Sequence, residues 1–213
     1  MKKGIIFDLD GTLWDSSKAV VDSWNEKIST FDEDVELITY EQMQGYMGKP
    51  MDEIAFGVFH KLPKERALEL LKICELYENE YIRLHGGVLY PQLEKVLAEL
   101  QKNYFLAIVS NCQVGYIEAF LEHHRLGSYF SDTENYGNTL LSKAENIRLI
   151  VERNHLERAV YVGDIMSDYQ STMEAGLPFI HAAYGFGSVP EGTPSIRHLQ
   201  ELPDRVREIF GEE

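Results

Sequence analysis

The sequence predicts an α/β fold in which a parallel sheet, covered by helices, is interrupted after its first strand by an all-helical insertion. Three observations predict it. Four short apolar runs, Gly4 to Phe7, Phe105 to Val109, Ala159 to Val162 and Phe179 to Ala183, each end in polar or glycine residues. Runs that are apolar on both faces belong to strands buried on both sides, the usual state of a parallel sheet. Amphipathic helical stripes alternate with them, and the segment between the first and second runs shows helical periodicity with no strand pattern.

Each element has its own justification. Between Asp15 and His85, the first helix carries Val20, Val21, Trp24 and Ile28 on one face. Thr39 and Gln42 form a capping-box pattern for a short helix ending near Gly48 and Pro50. Pro63 opens a long helix whose Ala67, Leu71, Cys74, Tyr77, Tyr81 and Leu84 share a face, and Gly86-Gly87 offers a hinge back to the sheet. Leu93, Val96, Leu97 and Leu100 form the stripe of a covering helix. Ile117, Phe120 and Leu121 form a second, and Ile147, Ile150 and Val151 a third.

Composition bounds the function. The 213 residues are 44% hydrophobic, enough for a substantial core, and 20 Lys+Arg against 35 Asp+Glu give a net charge of -15. So acidic a surface repels nucleic acid and anionic lipid, and an anionic substrate must be held by a local cation. Cys74 and Cys112 are too few for a disulfide framework, which reads as a reduced, cytoplasmic protein. The apolar run after Met1-Lys2-Lys3 is too short for a signal peptide, and no stretch matches a membrane-spanning helix.

The chemistry-bearing residues cluster at predicted strand ends, where open parallel sheets bind ligands. Ile5-Ile6-Phe7 runs straight into Asp8-Leu9-Asp10-Gly11-Thr12, and two carboxylates at that spacing repel unless a cation or a shared proton lies between them. Taken alone, Asp10-Gly11 reads equally well as a turn. The second run ends in Ser110-Asn111, suited to phosphate oxygens or to capping a helix. The third ends in Gly163-Asp164, with Asp168 one helical turn on, which suits metal ligation or a helix cap. Lys143 begins a helix, where the macrodipole disfavours a cation.

In that order, Asp8-Leu9-Asp10-Gly11-Thr12, Ser110-Asn111, Lys143 and Gly163-Asp164 with Asp168 resemble the four motifs of the haloacid dehalogenase superfamily. Phe7 to Leu13 with Asp15-Ser16 looks most like its phosphoglycolate phosphatase and β-phosphoglucomutase branch, although Ala144-Glu145-Asn146 follows Lys143 where that branch usually has Pro-x-Pro. The resemblance implies a Rossmann-like core of residues 1–14 and 87–213 and a helical cap of residues 15–86. It also implies a phosphatase with Asp8 as nucleophile and Asp10 as general acid/base, acting on a small phosphorylated metabolite. Mg²⁺ would be held by Asp8, the Asp10 backbone carbonyl and Asp164. Thr12, Ser110, Asn111 and Lys143 would bind phosphoryl oxygens, and Asp168 would orient Lys143 or a metal-bound water. A carboxylate at Asp10 fits phosphate esters better than halides, since halide leaves without protonation. A phosphomutase and a catalytically silent binding module are the other readings of the same fold.

Gly48-Lys49-Pro50 is the only glycine-proline break carrying a cation within the insertion. Lys49 is therefore expected either to bind the non-reacting end of the substrate or to be a solvated charge. The seven histidines show no metal-ligand spacing, and Gly185-Phe186-Gly187 reads as a backbone turn near the site.

Overall fold

A computed structural model describes residues 1–212. In chain order the elements are β1 (Lys3–Phe7), β2 (Trp14–Asp15), α1 (Ser17–Ile28), α2 (Tyr40–Gln44), α3 (Met51–Val58) and α4 (Lys64–His85). Then come β3 (Val88–Leu89), α5 (Leu93–Leu100), β4 (Phe105–Ser110), α6 (Tyr116–His124), β5 (Asp132–Asn135), α7 (Tyr136–Thr139) and α8 (Lys143–Arg153). β6 (Arg158–Gly163), α9 (Met166–Ala175), β7 (Phe179–Ala182), β8 (Ser195–Ile196) and α10 (Leu202–Phe210) complete the described chain. Six strands form one parallel sheet in the order β5-β4-β1-β6-β7-β8.

The alternation of side chains along a strand divides the core between the two faces of this sheet. Ile5, Phe7, Leu106, Ile108, Val160 and Val162 join one cluster, whereas Ile6, Ala107, Val109, Ala159 and Tyr161 join the other. The first cluster continues into the helical insertion through Val20, Trp24, Ile54, Phe59, Leu70 and Ile82. α1 packs on α4, and α4 packs in turn on α6 of the sheet layer. The antiparallel pair β2 and β3 joins the two crossings of the chain between insertion and sheet.

Several elements differ from the sequence reading. The Thr39–Gln42 capping box is present, but α2 ends at Gln44, well before Gly48, and α3 follows Pro50. The buried face of α4 begins as expected with Ala67, Leu71 and Cys74, then turns to Glu78, Asn79 and Ile82, leaving Leu84 exposed. Two polar residues replace Tyr77 and Tyr81 on that face because each has a hydrogen-bond partner there. Glu78 accepts from Trp24 Nε1, and Asn79 Nδ2 donates to the Val114 carbonyl at 2.7 Å.

β5, Asp-Thr-Glu-Asn, carries no apolar signal because it is an edge strand held by charge. Arg153 on α8 reaches Asp132 at 2.7 Å and Glu134 at 2.6 Å, and Glu134 is only 6% exposed. Replacing Arg153 leaves that carboxylate without its cation. Arg153→Met is expected to cost at least about 1 kcal/mol, seen in urea denaturation as a lower midpoint with an unchanged slope. An unchanged midpoint would show that the edge strand does not depend on the pair.

Candidate active site

The register of three central strands assembles the site. Phe7 lies opposite Ile108 on one side and Val162 on the other, so β1, β4 and β6 finish side by side and bring Asp8, Ser110 and Asp164 to one edge. Lys143, the first residue of α8, is delivered by the Ser142–Glu145 capping box. Its ammonium lies 3.0 Å from Asp8 Oδ1 and 2.5 Å from Asp168 Oδ1, with all three side chains buried. Asp168 Oδ2 accepts the backbone N–H groups of Asp164 and Ile165 at 3.1 and 3.2 Å. Both oxygens of Asp168 are thus committed to holding Lys143 and the start of α9. The residues after Lys143, where the branch usually carries prolines, serve the same end: Glu145 closes the cap, and buried Asn146 accepts from Thr139 Oγ1 at 2.8 Å.

Asp10 stands apart from this cluster. Trp14 Nε1 and the Tyr116 hydroxyl donate to its Oδ1 at 2.9 Å each, and the Ser16 hydroxyl donates to the same oxygen. Among the described residues no donor reaches Oδ2. Gly11 has φ of 80°, which permits the turn, and its α-carbon faces Asp164 so closely that a Cβ would lie 2.1 Å from a carboxylate oxygen. Phe186 N–H donates to Asp164 Oδ2 at 2.7 Å, so the Gly185-Phe186-Gly187 turn fixes Asp164. Thr12 is fully buried with its hydroxyl 3.4 Å from Asp164 Oδ1.

Burial, reinforced by Asp168, pushes Asp8 up to about 7 against the opposing pull of Lys143. Burial also raises Asp10, although the hydrogen bonds from Ser16, Tyr116 and Trp14 resist it. Asp164 is driven well above the usual carboxylate range by burial and then by Asp168 and Asp8. For Lys143 burial opposes the charge, but Asp168 and Asp8 outweigh it and keep the ammonium protonated.

Asp8, Asp164 and Asp168 offer oxygens within 4.8 Å of one another, and all three are buried. When ionised, the three carboxylates exceed the single ammonium of Lys143 by two negative charges, a donor set that suits a divalent cation. Asp168 is held at one oxygen by Lys143 and at the other by two backbone N–H groups, whereas Asp8 Oδ2 meets no donor among the described residues and Asp164 Oδ1 meets only the Thr12 hydroxyl at 3.4 Å, so Asp8 and Asp164 are the carboxylates best placed to hold such an ion. The Asp10 carbonyl, which accepts no hydrogen bond from the described residues, adds a third oxygen.

A cavity of about 40 Å³ opens beside Asp10, Ser110 and Asn111 and is roofed by the insertion. Asn111 Nδ2 donates to the Gly48 carbonyl at 3.1 Å, joining the strand end to the loop after α2. Ser110 and Asn111 do not cap a helix, since α6 starts at Tyr116 with Gly115 before it. Lys49 is exposed, and its ammonium lies 5.4 Å from the centre of the Tyr46 ring. Four residues of this region have no motif in the sequence: Trp24, Glu78, Gln113 and Tyr116, which meet at the cavity from distant points in the chain. Burial pushes Glu78 up to about 8, against the N–H groups of Trp24 and Gln113 and with the help of Asp10 and Glu75. Cys112 is buried and its thiol is pushed well up, as befits an inert packing residue. Among the described residues no helix is long and apolar enough to cross a membrane.

Sheet topology and site together define an α/β enzyme of the phosphatase class, with its acids and its lysine at the carboxyl edge of the sheet. The family model described as haloacid dehalogenase-like hydrolase matches residues 5–182, and the chain belongs to that family. It is 30% identical over 188 residues to a phosphoglycolate phosphatase from Synechococcus elongatus, covering 86% of this chain and 85% of the relative. A phosphoglycolate phosphatase from Vibrio cholerae is 28% identical at the same coverage. Among solved structures, a haloacid dehalogenase-like family hydrolase from Streptococcus pneumoniae superposes with a TM-score of 0.80 at 22% identity, over 97% of this chain and 98% of that one.

Two outcomes follow from this geometry. Gly11→Ala combines a strained φ with a collision at Asp164, and is expected to cost at least about 1 kcal/mol and to lower the melting temperature by about 2–4 °C; full wild-type stability would refute the close approach. Glu78 has a folded-state pKa above its ordinary value, so its contribution to stability is complete below about pH 4.5 and is lost as pH rises through about 8. Glu78→Gln should therefore melt close to the parent near pH 5 and progressively above it by pH 9. Parallel melting profiles would contradict a protonated Glu78.

Proposed function

We propose that the chain hydrolyses a small phosphomonoester in two steps through a phospho-aspartate on Asp8. The observation that carries this reading is the division of labour between two buried acids: Asp8 is held against Lys143, and Asp10 is clamped at one oxygen with the other left free. An Asp8 oxygen forms a bond to phosphorus as the bond to the leaving oxygen breaks, and protonated Asp10 gives its proton to that oxygen. Asp10, now a carboxylate, takes a proton from water as the water oxygen bonds to phosphorus. The bond to Asp8 then breaks, releasing orthophosphate and restoring both acids. Lys143 neutralises Asp8 and the transferring oxygens, Asp168 keeps Lys143 in place, and Ser110, Thr12 and the Asn111 backbone contribute donors. Mg²⁺, held by Asp8, Asp164 and the Asp10 carbonyl, would supply the positive charge that lets a phosphate dianion approach a carboxylate.

In this reading residues 15–86 act as a cap over the core of residues 1–14 and 87–213. Neither Asp8 nor Lys143 lines the cavity, so the substrate enters as the Asn111–Gly48 contact opens. Lys49, on that same loop, is assigned as a donor to an uncharged oxygen at the outer rim of the substrate after leaving the Tyr46 ring.

Hydrolysis of an aryl phosphate with and without Mg²⁺ tests the chemistry. Asp8→Asn, folded by circular dichroism, should lose at least about a thousandfold in turnover, because an amide is neither nucleophile nor anionic ligand. Near-normal turnover would exclude covalent catalysis. With an activated aryl phosphate, Asp10→Asn should form the phospho-enzyme and stall, giving an intact mass heavier by one phosphoryl group; equal losses for good and poor leaving groups, with no trapped adduct, would remove Asp10 from its role. Lys49→Ala should lower kcat/KM on the preferred metabolite about fivefold, the worth of about 1 kcal/mol at an exposed contact. No change on that substrate would return Lys49 to the solvent.

A further inference from the structure

The cavity beside Asp10 has an unusual far wall. Val20, Met43, Met51 and Ile54 make much of its lining apolar, and into this surface is set the carboxyl group of Glu78, only 3% exposed. Both of its oxygens are engaged by neutral donors. Trp24 Nε1 donates to Oε2, and Gln113 Nε2 donates to Oε1 at 3.3 Å. Gln113 is itself fixed by Asn79, whose Oδ1 accepts from the same Nε2 at 3.1 Å. No lysine or arginine pairs with Glu78 among the described residues, although a buried acid ordinarily requires one. The single cation lining the cavity, Lys49, has its ammonium over Tyr46, a ring that is not part of the lining.

We propose that Glu78, oriented by Trp24 and Gln113, reads the organic group of the substrate, selecting a small group that offers a hydrogen-bond donor and carries no negative charge. This rests on the phosphomonoester reading above and deepens it. A hydroxyl or an ammonium supplies the missing partner of Glu78, whereas a carboxylate in the same place loses its hydration against a largely apolar wall with no buried cation to offset the cost, and is repelled by Asp10 whenever that group is ionised. Burial raises the Glu78 carboxyl to about 8, so near neutral pH it both donates to and accepts from a hydroxyl, and an ammonium would draw it into an ion pair. Size adds a second restriction. With the loop after α2 held against Asn111 the cavity is about 40 Å³, which favours a small organic group. By this chemistry 2-phosphoglycolate, whose two-carbon unit ends in a carboxylate, is a poor substrate for this chain, in contrast to the relatives that bear its name.

Four phosphate esters of matched size decide the matter on the full chain with Mg²⁺: 2-hydroxyethyl phosphate, 2-aminoethyl phosphate, ethyl phosphate and 2-phosphoglycolate, with an aryl phosphate as control. At least one donor-bearing ester should exceed both ethyl phosphate and 2-phosphoglycolate in kcat/KM by tenfold or more. Which of the two leads distinguishes a hydroxyl from an ammonium. The proposal is overturned if 2-phosphoglycolate matches or exceeds the donor esters, or if ethyl phosphate does. Failure of every ester including the aryl phosphate would instead sink the phosphatase reading itself. Glu78→Leu, checked for folding by its melting curve, should bring the donor ester down to the level of ethyl phosphate. Should that variant not fold, the isosteric Glu78→Gln must lower the ratio of aminoethyl to hydroxyethyl ester; an unchanged ratio in whichever variant folds removes Glu78 from recognition.

Discussion

Lys143 between Asp8 and Asp168 is the contact on which the rest of the site depends. One ammonium, buried with two carboxylates and close to a third in Asp164, cannot satisfy them all. Charges taken out of water at this density are stable only with further compensation, and removing one partner from such a group is far more damaging than removing an exposed pair. The surrounding fold is arranged around that requirement. The capping box at Ser142 sets the start of α8, Asp168 binds the opening of α9, and the turn at Phe186 holds Asp164. A divalent cation is the remaining component that the charge balance asks for.

The sheet makes this cluster affordable by confining it to one edge. Apolar strands β1, β4 and β6 run parallel and in register, so their polar successors emerge together while Ile5, Ile6, Phe7 and their neighbours remain in dry layers above and below. The helical insertion then closes over that edge without sharing in the charge cluster. Its contribution to the site is of another kind: an apolar wall interrupted by Glu78, and a loop tied down through Asn111 and Gly48. On the proposed reading, chemistry and selectivity fall to different parts of the chain, which fits a family whose fold is shared while substrates differ.

The parts of the fold legible in the sequence were those in which neighbouring residues state the whole signal. An apolar run ending in Asp8-Leu9-Asp10-Gly11, Thr39 with Gln42 three residues on, and Asp164 followed at one helical turn by Asp168 all announce themselves locally. β5 was silent because its stability comes from Arg153 on another element, not from apolar alternation. The rotated face of α4 was silent for a related reason. Glu78 looks like an ordinary exposed residue of a helix until Trp24, 54 residues away, and Gln113 are brought against it. Tyr116 and Ser16 on Asp10 likewise belong to no spacing rule, since only the tertiary fold brings the tyrosine there. Polar groups buried by mutual partnership are the class that periodicity cannot find, and here they line the cavity beside Asp10.

The central claim is that the uncompensated charge of Asp8, Asp164 and Asp168 specifies one divalent cation, and calorimetric titration of Mg²⁺ into the chelator-treated protein measures this directly. The account predicts saturation at one ion per chain, a raised melting temperature in the bound form, and loss of both effects in Asp164→Asn, a variant that retains shape but not charge. Absence of binding at millimolar Mg²⁺, or binding that Asp164→Asn leaves intact, would contradict it.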